Sequence, residues 1–67
     1  MDNKNKPVGV RMKEIRTSKG FTQVEMAIKL GLAPHYYNAI ERGRSNPGLM
    51  TLRKFAALTK TPIKDLI

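Results

Sequence analysis

Apolar positions along the chain recur three or four residues apart, the spacing of one helix face. Val8, Met12 and Ile15 mark a first helix, which stops at Gly20 behind the basic residue Lys19. Thr22-Gln23-Val24-Glu25 reads as a capping box: Thr22 accepts the Glu25 N–H while the Glu25 side chain reaches back to the Thr22 N–H. Met26, Ala27 and Leu30 follow, then Gly31, so a second helix is predicted over 23–30. Pro34 stands at a first helical position, its φ already suited to a helix. Tyr37 and Ile40 then give the buried side of a third helix running to Arg42 and halting at Gly43. After a turn-rich loop from Gly43 to Gly48, Leu49, Leu52, Phe55, Ala56 and Leu58 form a fourth stripe ending near Lys60. Thr61-Pro62 opens a last short helix carrying Ile63, Leu66 and Ile67. No stretch of four or more residues alternates as a strand. The pattern predicts an all-α fold, a compact five-helix bundle over residues 8–67, preceded by a flexible N-terminal arm over 1–7.

Composition narrows what such a bundle can do. A chain of 67 residues sits near the lower limit for a single core, and with no cysteine it has neither disulfide nor thiolate metal site to hold it together. Apolar packing must suffice. Thirteen Lys and Arg against five Asp and Glu give a formal net charge of +8, which attracts polyanions through release of their condensed counterions. No apolar run approaches the roughly 18 residues a membrane span needs, and the polar N-terminus is not a signal peptide. The chain therefore reads as cytoplasmic. One histidine and five scattered acids furnish no catalytic grouping, so the expectation is a non-enzyme with no cofactor. A metal site at His35 would lack any second His or Cys. Two Phe and two Tyr make no stacking platform, which argues against RNA.

The second and third helices are joined only by Gly31-Leu32-Ala33, and so short a link forces a steep crossing, as in a helix-turn-helix. The run Lys19-Gly20-Phe21-Thr22-Gln23, the Leu30-Gly31-Leu32 corner, Ile40-Glu41-Arg42-Gly43 and Asn46-Pro47 resemble the Cro/phage-repressor (XRE-type) family of helix-turn-helix regulators. The resemblance covers about residues 8–67 and implies a five-helical, dimeric regulator of transcription that binds palindromic double-stranded DNA with its third helix in the major groove.

Residue by residue, the resemblance implies that Gln23 contacts a phosphate at the start of the second helix, where free N–H groups suit an anion. His35, Tyr36, Asn38 and Ala39 match the face that reads base edges, and an asparagine can make a paired hydrogen bond to adenine. Pro34 and Ala33 depart from the family, which often has polar side chains there. Arg42, Arg44, Ser45 and Asn46 match a second phosphate clamp, Arg16 and Glu41 match a partly buried ion pair, and Tyr37 takes a core position. A homodimer interface is expected at the last helix, on Ile63, Leu66 and Ile67. The competing reading is an antitoxin or other protein-interaction module whose main role is to bind a protein partner.

Overall fold

Where each helix stops is decided by its backbone. The computed structural model describes residues 6–67, so Lys4 and most of the expected N-terminal arm lie outside the described residues. The element order is α1 (Val8–Ser18), α2 (Gln23–Leu30), α3 (Pro34–Glu41) and α4 (Leu49–Thr59), with a single 3-10 turn at Ile63–Asp65. Helices end in the same hydrogen-bonded wrap, in which the chain turns left-handed for one residue and returns N–H groups to the last carbonyls. After α1 the Phe21 N–H reaches the Arg16 carbonyl, after α2 the Leu32 N–H reaches Ala27, and after α3 the Arg44 N–H reaches Ala39. Glycine occupies the left-handed position at all three, Gly20, Gly31 and Gly43. The wrap after α4, Thr61 N–H to the Ala56 carbonyl, has Lys60 there instead, at φ 54°.

The expected fifth helix is only that 3-10 turn. Pro62 donates no N–H, and the five residues after it close short bonds, Asp65 N–H to Pro62 and Leu66 N–H to Ile63. The turn nevertheless finishes the core. Leu66 is fully buried among Met12, Met26, Tyr37, Ile40, Leu52 and Phe55. This corrects the expectation for Leu66: it packs inside its own chain and offers no surface, whereas Ile67 is 70% exposed and Ile63 is half-buried.

The core reaches its density partly through a glycine. A Cβ on Gly9 would overlap the Ile40 carbonyl oxygen and crowd Glu41, so α1 and α3 run backbone to backbone at that point. α1 also buries Arg11, whose Nε has no hydrogen-bond partner among the described residues. Glu14 and Asp65 line the cavity beside it and supply opposite charge there.

Two stability changes follow. Gly9→Ala forces α1 away from α3 and is expected to cost about 1–3 kcal/mol, the usual range for overpacking a filled core. Lys60→Gly relieves a left-handed side chain and is expected to gain about 0.5–1 kcal/mol. Urea denaturation of each variant beside the parent measures both. A neutral Gly9→Ala would mean that the helices separate freely, and a destabilising Lys60→Gly that the lysine side chain itself holds the wrap.

Candidate nucleic-acid interface

The geometry of the site starts from a buried charge. Arg16, near the end of α1, donates through Nε to Glu41 Oε2 at 2.7 Å and through Nη2 to Oε1 at 3.2 Å, and its Nη1 donates to the Phe21 carbonyl at 2.7 Å. Both side chains are nearly excluded from water. Such a pair is tolerated in an interior only when further hydrogen bonds compensate the lost water, and with the Phe21 carbonyl each of Arg16's three nitrogens makes one. Burial alone would raise the Glu41 pKa, but Arg16's hydrogen bonds, helped by the Gln23 amide, outweigh it and hold the carboxyl below its ordinary value. The hydrogen bond to Glu41 likewise raises Arg16. Burial, with the Glu41 carboxylate adding to it, pushes the Tyr37 phenol strongly up.

From Glu41 the polar contacts continue outward. Gln23 Nε2 donates to Glu41 Oε1 at 2.8 Å, and Asn38 Nδ2 donates to Gln23 Oε1 at 3.1 Å. The first residue of α2 is thereby fixed to the middle and the end of α3. Thr22 caps α2 in the expected box: its hydroxyl accepts the Glu25 N–H at 3.0 Å, and Glu25 Oε1 accepts the Thr22 N–H at 2.8 Å. Those backbone and side-chain bonds to Thr22 lower the Glu25 pKa. The N–H groups of Gln23 and Val24 precede the first intrahelical bond and so have no helical acceptor.

On α3, His35 and Tyr36 are exposed, while Asn38 and Ala39 are half-buried. Tyr37 and Ile40 point into the core. Ala33 gives α3 no side-chain cap and Pro34 fills its first turn. Beyond α3, the Ala39 carbonyl accepts the N–H groups of Arg44 (2.9 Å) and Ser45 (3.3 Å), which folds the loop back along the helix. Arg42, Arg44 and Asn46 are exposed on it and Ser45 is half-buried. The candidate phosphate-binding and base-reading side chains thus fall on α2, α3 and one loop, and two of them, Gln23 and Asn38, join the Arg16–Glu41 network. Sequence reasoning missed Gly9 and, though it named Gln23, missed that residue's partners. Gly9 is marked by a glycine inside a helical pattern. Nothing in the sequence announced that Gln23 bonds both Glu41 and Asn38.

Two short helices about a left-handed glycine corner, the second carrying exposed polar residues and followed by arginines, make this a helix-turn-helix domain. A family model described as helix-turn-helix matches residues 12–66. The chain belongs to that family, the Cro/phage-repressor type of transcriptional regulators, which are not enzymes. It is 34% identical over 61 residues to the transcriptional regulator SinR of Bacillus subtilis, covering 90% of this chain and 55% of SinR. It is 47% identical over 60 residues to the immunity repressor of Bacillus phage phi105, covering 90% of this chain and 42% of the repressor. The chain spans about half the length of these curated relatives. Among solved structures, the restriction-modification controller protein C.AhdI of Aeromonas hydrophila superposes with a TM-score of 0.83 at 33% identity, covering 91% of this chain and 92% of that one. The structure of SinR in complex with DNA superposes at 0.80 with 35% identity, covering 88% and 95%.

The network carries a pH signature. Because the folded-state pKa of Glu41 is depressed, its contribution to stability is fully present above the unfolded carboxyl value, about 4.3, and is lost as the pH falls through the folded value. Glu41→Gln should flatten that part of the acid limb, and Glu41→Ala should cost roughly 3–5 kcal/mol at neutral pH by stranding Arg16. Denaturant titrations from pH 3 to 7 on parent and Gln variant check this; parallel curves would show that Glu41 contributes nothing to the acid limb.

Proposed function

We propose that this chain is a sequence-specific regulator of transcription that binds double-stranded DNA with α3 in the major groove, and that it acts as a homodimer on a palindromic operator. The observation that carries the reading is the single surface formed by α3 and its two flanks. Asn38 on α3 is hydrogen-bonded to Gln23 at the start of α2, His35 and Tyr36 are exposed on α3, Ala39 is half-buried, and Arg42 and Arg44 are exposed just after the helix. Phosphate contacts set register and base-edge contacts read sequence, and this surface supplies both kinds of group. Gln23, Arg42, Arg44, Ser45 and Asn46 are the phosphate contacts; His35, Tyr36, Asn38 and Ala39 face the bases. The related SinR has been solved on DNA, which supports the same use here.

The domain measures 30 × 24 × 21 Å. Two copies side by side suit half-sites roughly 34 Å apart, one turn of duplex. With Leu66 occupied in the core, the dimer contact rests on Ile67 and the exposed part of Ile63. No helix among the described residues is long and apolar enough to cross a membrane, and the proposed place of action is the cytoplasm, with the DNA.

Selection from a random duplex library, followed by titration of the winning site at several salt concentrations, tests the reading. The expected result is an enriched palindrome with half-sites one turn apart. Asn38→Ala should relax preference at one position of each half-site. Arg44→Ala should weaken binding to all sequences and lower the magnitude of the salt slope by about one per protomer. If no sequence were enriched, the domain would be a protein-interaction module instead, and uniform losses in both variants would remove Asn38 from base reading.

A further inference from the structure

We infer that Gln23 and Glu41 are positioning residues which fix the polarity of Asn38, so that the domain selects an amino-bearing base, adenine foremost, at the position Asn38 reads. The inference rests on the DNA reading above and adds to it which base is chosen and what enforces the choice.

An asparagine amide has two faces, one offering an acceptor and the other donors, and a free side chain turns either way. Here the turn is decided three side chains away. Glu41, ionised and paired with Arg16, can only accept hydrogen bonds, so Gln23 must present Nε2 to it, at 2.8 Å. With its nitrogen turned to Glu41, the atom Gln23 lays against Asn38 is Oε1, an acceptor, and Asn38 answers with Nδ2 at 3.1 Å. Each amide is forced by the one before it, and the first is forced by a carboxylate that two Arg16 nitrogens hold in place.

What Asn38 has left is Oδ1 and one N–H. That combination matches adenine, whose major-groove edge offers the N6 amino donor beside the N7 acceptor, and it matches the cytosine N4 amino group through Oδ1 alone. It does not match guanine, whose N7 and O6 are both acceptors and call for two donors. An inverted Asn38 would supply those donors, but only by setting its Oδ1 against Gln23 Oε1. Half-burial of Asn38 and Gln23 limits the water available to relieve such a clash.

The test uses Gln23→Met, which keeps length and apolar bulk but removes both amide bonds while leaving Arg16 and Glu41 paired. Two readouts are taken. In the free protein, the Asn38 side-chain amide is followed by nitrogen-15 NMR; the parent should show one hydrogen-bonded amide proton slowed in exchange, and Gln23→Met should lose that protection. On DNA, the selected half-site is varied through all four bases at the Asn38 position. The parent should favour adenine over guanine by about tenfold, and the variant should bring the two within about twofold, whatever happens to its overall affinity through the lost phosphate contact. Unchanged discrimination in Gln23→Met overturns the inference, as does a parent preference for guanine. A flat profile for the parent at every position overturns the DNA reading and the base preference with it. The amide measurement in the free protein separates that failure from failure of the relay itself: an unprotected parent amide rejects the relay.

Discussion

The Arg16–Glu41 pair sets the terms on which the rest of this small fold is built. Two charges 25 residues apart are taken out of water together, and the transfer is tolerable only if each polar atom is met. Arg16 meets Glu41 with two nitrogens and the Phe21 carbonyl with the third. Because Phe21 precedes α2 and Glu41 ends α3, satisfying one guanidinium fixes the end of α1, the approach to α2 and the exit of α3 together. An apolar pair of equal volume would hold the helices about as well, but it would not dictate their register. What the ions add is direction, and the amides of Gln23 and Asn38 inherit it.

Close approach of α1 to α3 is the steric counterpart of that electrostatic tie. Gly9 brings the two backbones into contact one turn before Arg11 and Met12, while Leu66 closes the far side of the core from the 3-10 turn. A domain of this size has little apolar surface to spare. Committing Leu66 to its own chain strengthens the core and leaves Ile67 and part of Ile63 as the exposed apolar positions of the last turn. Among the described residues, the wrap at Lys60 is the one helix end where a side chain accepts the left-handed strain that glycine avoids elsewhere.

Much of the fold was legible in the sequence because its punctuation is local. The Thr22 capping box, the glycines at 20, 31 and 43 and Pro34 at the start of α3 act within one turn of the residues that encode them, so they can be read in order. The fifth helix misled because Ile63, Leu66 and Ile67 have helical spacing, while the bonds after Pro62 span three residues, Asp65 N–H to Pro62 and Leu66 N–H to Ile63, and so close the tighter turn. Leu66 shows the limit of periodicity: spacing says that a side chain shares an apolar face, not whether its own chain or another covers that face. The site was legible to the extent that the family resemblance names positions. The Gln23 contacts lay beyond reach, since 15 and 18 residues separate it from Asn38 and Glu41 and no local pattern encodes that meeting.

The same accounting explains why a net charge of +8 is presented outward and not cancelled at the surface. Three of the four acids among the described residues are hydrogen-bonded within the fold. Glu14 pairs with Lys6 at 2.9 Å, Glu25 is held by the α2 cap, Glu41 is buried on Arg16, and Asp65 lines the cavity beside Arg11. Of the cations on α3 and its loop, Arg42 and Arg44 form no ion pair among the described residues, and both are exposed. Negative charge is thus consumed in building the fold, at a cap, a core pair and a cavity, and the positive excess is left where a polyanion can meet it. The interior pair and the exterior field are one arrangement: burying Glu41 takes an acid off the surface and turns it into the anchor for the Gln23 and Asn38 amides.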